Sequence, residues 1–313
     1  MKKITLKSLF NRQKEFSDLF FDSKSMSEDE KIEQHKTFML ALHSEASSLA
    51  DAVHYKDHRP APSPTDKQKI LYESIDVIRY CLAALNLWEI NSNEFNDAFN
   101  SRDAFLWDRE THGLQNWSGQ PVVVVDIDDV LSNFREDFFT WVKSKFNVDL
   151  DIEDPSYYAR PDLGNITNEE AFMLFIEEGG IRFLSLNENV VESIKKLQEK
   201  GFWIHLLTAR PSENLKCLYD TYFWLAKNNI PYNSVALSPE KYRWLTDKKF
   251  FKEGKLVCAI DDSPKHASEY ASQGIPVLVP KRTYNEEIWD MKNVITFDWW
   301  EDSVDEEITK LLS

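Results

Sequence analysis

From Lys31 to about Asn100 the apolar residues recur at three- and four-residue spacing, with no strand-like alternation. "HKTFMLALHSEASSLADAV" and "DKQKILYESIDVIRYCLAALNLWEI" predict two long helices, and "SNEFNDAFNSRDAFLWDRE" a third. Between the first two lies "HYKDHRPAPSPTDKQ", whose closely spaced prolines cannot continue a helix and whose Ser63 to Thr65 offer caps for the next one. The turn-rich "THGLQNWSGQP" then marks a change of pattern and predicts a domain boundary near residue 115. Beyond it, short β-branched runs alternate with helical segments: "PVVVVDID", "VVESIKKLQEKG", "FWIHLLTA", "LKCLYDTYFWLAKNN", "SVALS", "LVCAIDD", "PKHASEYASQG", "IPVLVP". Such runs, closed by Gly or Pro, predict a parallel sheet covered by helices on both faces. Residues 133 to about 185 interrupt the alternation with mostly helical material, as an insertion over the carboxyl end of the sheet would. The expected architecture is therefore α plus α/β: an all-α bundle over residues 1–115, then a doubly covered parallel-sheet domain over 116–313.

Composition narrows the function classes. The 313 residues are 42% hydrophobic and 13% aromatic, enough for about two domains at roughly 150 residues each. A formal charge of -16 and a pI near 4.9 argue against a broad basic face for a nucleic-acid polymer. Cys81, Cys217 and Cys258 are far apart and lack metal-type spacing, which suits reduced packing thiols in a cytoplasmic setting. The basic start "MKKITLKSLFNRQKEF" carries no continuous apolar run, and no later window approaches the roughly 20 apolar residues of a membrane span, so neither secretion nor membrane insertion is expected.

The candidate chemistry lies at the ends of the predicted strands, where open parallel sheets bind ligands. "VVVVDIDDVL" runs from four valines into Asp126, Asp128 and Asp129; "LLTARP" ends in Thr208 and Arg210; "LVCAIDDSP" ends in Asp261 and Asp262. Carboxylates brought so close call for a compensating cation, and hard oxygen ligands beside a phosphate suit Mg²⁺. Asp129 reads as a turn or N-cap residue opening the next helix.

In order and context these segments, with downstream lysines, resemble the four motifs of the haloacid dehalogenase-like (HAD) phosphohydrolases, over about residues 118 to 300. The resemblance implies a Rossmannoid fold with Asp126 as nucleophile and Asp128 as general acid and base. It implies Thr208 and a lysine on the phosphoryl oxygens, and Asp126, Asp128, Asp261 and Asp262 around Mg²⁺. The lysine is expected at Lys248, with Lys249 or Lys252 as alternatives among Lys241, Lys248, Lys249, Lys252 and Lys255. The insertion resembles the small helical cap of the family's 5′-nucleotidases, and "LTARP" with "TYFWLAKNNIPY" is similar to its deoxynucleotidase-like members. That makes a nucleoside monophosphate the expected substrate, with Phe134, Arg135, Tyr157, Tyr158, Arg160 and Arg210 as candidate contacts.

In the helical half, Glu73 and Asp76 lie three apart on one face of "YESIDVIRY", and Glu45 on the preceding helix could share a cation with them. The pattern resembles the all-α nucleoside triphosphate pyrophosphatases of the MazG and dimeric dUTPase-like group, whose paired ExxE and ExxD helices bind Mg²⁺. "EFNDAFNSRDAF" looks like their following helix, which makes Arg102 and Asp103 candidate substrate contacts. Ser48 stands where the group has its second glutamate, with Asp51 one turn on, so the resemblance implies either a pyrophosphatase site or a degenerate domain kept for homodimer formation. Two further readings are a nucleotide-binding protein without turnover, disfavoured by the intact Asp126 and Asp128, and a phosphatase of polynucleotide ends, disfavoured by the acidic charge.

Overall fold

The computed structural model describes residues 4–53, 66–152, 166–298, 300 and 304–312. They form two compact units, Met1–Phe99 and Asn100–Ser313.

The first unit is helical: α1 (Leu6–Ser17), α2 (Glu28–Asp51), α3 (Lys67–Leu87) and the start of α4 (Ser92–Thr111). Local capping sets the helix starts. Ser27 and Glu30 form a reciprocal capping box at α2, and the Asp66 carboxylate accepts from Gln68 and Lys69 N–H at α3. Asp66, not Ser63 to Thr65, thus caps α3; those three residues lie outside the described ones. The hydrophobic pattern did not announce α1, because it buries only Phe10, Gln13 and Ser17. Its start is set by Thr5, whose hydroxyl accepts from Ser8 N–H. Phe38, Ala83, Ala84 and Leu87 form a small core where α2 meets α3.

The division between units falls inside α4, earlier than the expected residue 115. Buried polar contacts explain the shift: Ser101 donates to the Asp220 carboxylate at 2.7 Å, and Arg182 reaches both. Asp108 further along α4 accepts from Tyr232 and lies 3.0 Å from His112. The carboxyl half of α4 is therefore tied to the α/β unit by charge-assisted bonds that helical periodicity does not reveal.

In that unit β1 (Val122–Val125) is followed by α5 (Phe134–Phe146), α6 (Asn168–Glu177), α7 (Gly180–Phe183) and α8 (Val190–Glu199). Next come β2 (Trp203–Thr208), α9 (Leu215–Lys227), β3 (Ser234–Leu237), α10 (Lys241–Thr246) and α11 (Lys249–Lys252). The chain ends with β4 (Leu256–Ile260), α12 (Pro264–Ser272), β5 (Val277–Pro280), β6 (Val294–Phe297) and α13 (Val304–Lys310). All six strands are parallel, in the order β3-β2-β1-β4-β5-β6. Alternation across the strands divides the core. Val123, Val125, Ile204 and Leu206 face one apolar layer; Val122, Val124, Trp203 and Leu207 face the other. The half-buried edge strand β6 lacks the fully apolar signature of the central strands and was not read from the pattern. The cysteines are free, Cys217 and Cys258 buried and Cys81 exposed, and among the described residues no helix is long and apolar enough to cross a membrane.

One core residue gives the fold a pH dependence. His205 is fully buried, stacks on Trp244 at 4.8 Å, and its Nδ1 lies 2.8 Å from Ser234 Oγ. Burial, with the nearby Lys248 charge, pushes the imidazole down to about 3. The unfolded chain takes up this proton near pH 6.5 and the folded chain does not, so stability is full above about 6.5 and falls as pH drops below it. Between pH 7 and pH 5 about 2 kcal/mol should be lost through this group. Denaturant unfolding of His205→Asn against the unaltered protein checks it: the variant, less stable at pH 7, should show a flatter slope below pH 6.5, and parallel slopes would sink the assignment.

Candidate active site

Because the strands are parallel, the carboxyl ends of β1, β2, β3 and β4 lie along one edge, and that edge gathers the polar residues. Asp126 follows β1 directly, and Asp261 and Asp262 follow β4; all three are buried. Each offers a carboxylate oxygen within 4.8 Å of the others. Lys241, 1% exposed, opens α10 shortly after β3 and places its Nζ 2.8 Å from Asp126 Oδ2 and 2.8 Å from Asp261 Oδ2. Burial pulls its ammonium toward the neutral form, but the two carboxylates overcome this and hold it above the usual lysine value.

The lysine that meets the carboxylates is thus Lys241, where the sequence led to Lys248. Lys248 is not at the carboxylates; its Nζ sits 3.9 Å over the Trp244 ring. Lys249 and Lys252 belong to α11, beyond α10. The signal was present in the run "SVALS": if that is a strand, its carboxyl end belongs to the same edge, and Lys241 is the first lysine after it.

Burial pushes Asp126 up to about 8 even with Lys241 beside it, and Asp262 well above the usual carboxylate range. A cluster of buried carboxylates that resists ionisation in this way is relieved by a further cation. The donor set of Asp126, Asp261 and Asp262 is all oxygen, which fits a hard divalent ion such as Mg²⁺. Surrounding residues orient the donors: Tyr284 O–H donates to Asp262 Oδ2 at 2.8 Å, Ser263 N–H donates to Asp261 Oδ1, and Asn285 holds the Asp262 carbonyl.

Asp128 stands apart from the triad. Arg210 Nε donates to its Oδ2 at 2.9 Å and Nη2 to its Oδ1 at 2.6 Å, while Thr208 Oγ1 lies 3.5 Å from Oδ2. Asp129 occupies left-handed backbone at φ 54°, and its carboxylate accepts from Arg135 N–H at 2.8 Å in the first turn of α5. Its expected turn and capping role is what the side chain does, and burial pushes it up to about 7.

The edge opens into a cleft of about 1020 Å³. Asp126, Asp128, Thr208 and Lys241 lie on one side, with Phe134, Phe138, Phe172 and Asn168 from α5 and α6 on another. Phe134 stacks on Phe138 at 5.4 Å and meets Phe172 edge-on at 5.8 Å. Arg135 is a correction: it is 2% exposed and lies 4.1 Å over the Tyr284 ring, so it supports the cleft from behind rather than meeting a ligand. Arg210 lines the cleft, with its guanidinium turned to Asp128 and Thr221. Tyr157, Tyr158 and Arg160 lie outside the described residues.

The helical unit brings together the other expected group. Glu45 of α2 and Glu73 and Asp76 of α3 offer carboxylate oxygens within 4.8 Å of one another. Arg102 and Asp103 belong instead to the second unit. Arg102 donates to Tyr219 O–H at 2.6 Å and stacks on that ring and on Phe105, while Asp103 lines a separate cleft with Trp107 and Tyr222.

The structure thus brings together the groups on which the resemblance to the HAD phosphohydrolases rests: buried aspartates after the first and fourth strands of a doubly covered parallel sheet, a threonine ending the second and a lysine after the third. No protein-family model matches the chain. It is 28% identical over 178 residues to the "Putative nucleotidase" of Bacillus cereus, covering 52% of this chain and 87% of that one. To the "Putative nucleotidase YqfW" of Bacillus subtilis it is 26% identical over 184 residues, covering 58% and 90%. Among solved structures it is similar to a HAD-superfamily hydrolase of Ehrlichia chaffeensis (15% identity, 63% of this chain and all of that one, TM-score 0.37). It is also similar to a "Putative Phosphatase" of Clostridium difficile (16% identity, 61% and all, TM-score 0.44).

Proposed function

We propose that the protein is a Mg²⁺-dependent phosphomonoesterase acting on nucleoside 5′-monophosphates. The observation that carries this reading is the buried carboxylate group of Asp126, Asp261 and Asp262 with Lys241 set between two of them, at the mouth of a cleft lined by Phe134, Phe138 and Phe172. An aromatic wall beside a phosphate site suits a leaving group with a flat, apolar face, and the naming of both Bacillus relatives as nucleotidases supports the same class.

In this mechanism Asp126 attacks phosphorus, the bond to the ester oxygen breaks, and Asp128 gives its proton to the departing alkoxide. Asp128 then takes a proton from the water that attacks the aspartyl-phosphate, and Asp126 leaves as carboxylate. Lys241 and Thr208 face the equatorial oxygens and offset their charge. Asp126, Asp261 and Asp262 would hold Mg²⁺, with the Asp128 carbonyl as a further donor, and the bound ion supplies charge neutralisation at the phosphoryl group.

The helical unit carries a second proposal. The convergence of Glu45, Glu73 and Asp76 supports a divalent-cation site in a triphosphate pyrophosphatase, although Asp51 is not part of the group among the described residues. Pairing of two chains through this unit is supported by Leu71, Ile75 and Ile78, exposed at helical spacing along α3.

A panel of nucleoside mono- and triphosphates and sugar phosphates, with phosphate and pyrophosphate read separately, tests both sites. Phosphate from nucleoside monophosphates at a kcat/KM at least about tenfold above sugar phosphates is expected. Preference for sugar phosphates would overturn the substrate class. Pyrophosphate from triphosphates, lost in Glu73→Ala while monophosphate hydrolysis persists, is the outcome expected of a working helical site. Absence of pyrophosphate in the unaltered protein would leave that unit without its proposed activity.

A further inference from the structure

Arg210 is buried to 2% exposure at the floor of the cleft. Its guanidinium makes three hydrogen bonds: Nε to Asp128 Oδ2 at 2.9 Å, Nη2 to Asp128 Oδ1 at 2.6 Å, and Nη1 to Thr221 Oγ1 at 3.0 Å. The first two form a planar fork on both oxygens of one carboxylate, a geometry that fixes the plane of the acid as well as its position. The third anchors the fork to α9, because Thr221 O–H in turn donates to the Cys217 carbonyl at 2.8 Å. The Arg210 side chain is 1% exposed and the Asp128 side chain 24%. Arg210 therefore covers the inner edge of the carboxylate and leaves its outer edge open to the cleft.

Resting on the phosphomonoesterase reading above, the geometry points to Arg210 as a positioning residue that aims Asp128 at the leaving-group oxygen and does not itself bind the phosphoryl group. The nucleophile Asp126 has a separate support, Lys241. The chain thus orients its two working carboxylates through different cations on different elements: Asp126 from α10, and Asp128 from the end of β2 and α9. Loss of Arg210 should damage proton delivery to the leaving group far more than attack at phosphorus.

Leaving-group dependence separates these roles. A nucleoside monophosphate needs a proton on its departing alkoxide, whereas 2,4-dinitrophenyl phosphate expels a stable phenolate without one. First-turnover release from the two esters, under Mg²⁺, would be compared for the unaltered protein, Arg210→Lys and Thr221→Val. In Arg210→Lys, which keeps the charge and loses the fork, release of nucleoside should fall by roughly 10²-fold or more while the dinitrophenolate burst stays within about threefold. Thr221→Val, nearly isosteric and with the Asp128 fork intact, should show the same selectivity at about three- to tenfold, and it stands as the test if Arg210→Lys does not fold. Equal losses on both esters would overturn the inference and place Arg210 on the phosphoryl group, with the phosphomonoesterase reading intact. No release of nucleoside or dinitrophenolate from either ester by the unaltered protein would overturn that reading and the inference together.

Discussion

Asp126→Asn is expected to lower turnover of the preferred phosphate ester by roughly 10⁴-fold or more, with the far-ultraviolet circular dichroism unchanged. The amide lacks the anionic oxygen that must attack phosphorus, yet it is nearly isosteric and fills the same buried site after β1. A neutral side chain also removes one of the mutually repelling carboxylates, and burial already pushes Asp126 toward its protonated form. Lys241 keeps Asp261 as a buried partner at 2.8 Å, so the folded state should be little destabilised, which makes lost activity a chemical effect. Acid-quenched reactions with phosphate-labelled substrate provide the direct check: label should stay with the unaltered protein and be absent from the variant. A variant that retains more than about a tenth of its turnover would rule out Asp126 as nucleophile.

The second large effect is expected at Lys241. Its Nζ bridges Asp126 and Asp261 at 2.8 Å each, and all three side chains are almost wholly buried. Lys241→Met keeps the length of the chain but leaves two buried carboxylates facing one another without that cation. Breaking a buried ion pair from one side costs about 3–5 kcal/mol. Thermal and denaturant unfolding without divalent ion should show a loss of this order, and added Mg²⁺ should return part of it by binding the same oxygens. Turnover should fall by about 10²- to 10³-fold, since an ammonium placed at the developing charge is lost. Lys248→Met is the control: its ammonium rests over the Trp244 ring, and activity should stay within about twofold. Greater damage from Lys248→Met than from Lys241→Met would return the phosphate-binding lysine to the position expected from sequence.

The contrast between these lysines shows where sequence reasoning reached its limit. Asp126, Thr208, Asp261 and Asp262 were legible because each ends a strongly apolar run, and a parallel sheet sends the carboxyl ends of its strands to one edge. The lysine follows the short strand β3, which is only partly buried, and any of the five lysines between β3 and Asp261 was compatible with local pattern. Arg135 and Arg210 were read as ligand contacts because arginine beside a phosphate site is a reasonable expectation. Tertiary packing instead turned one onto Tyr284 and the other onto Asp128.

Local chemistry alone determined the succession of helices and strands from α2 to β5, the parallel sheet, the acidic strand ends and the Asp129 turn. These depend on period, capping and strand polarity, which are properties of short segments. Only the tertiary structure decided which lysine sits between Asp126 and Asp261, that Arg210 clamps Asp128, and that the carboxyl half of α4 joins the α/β unit through Ser101, Asp220 and Arg182. Each of those depends on which partners a long or buried polar side chain finds once the chain is folded. Desolvation makes an unpaired buried charge costly, so the fold selects the pairing, and neighbours in space rather than in sequence supply it.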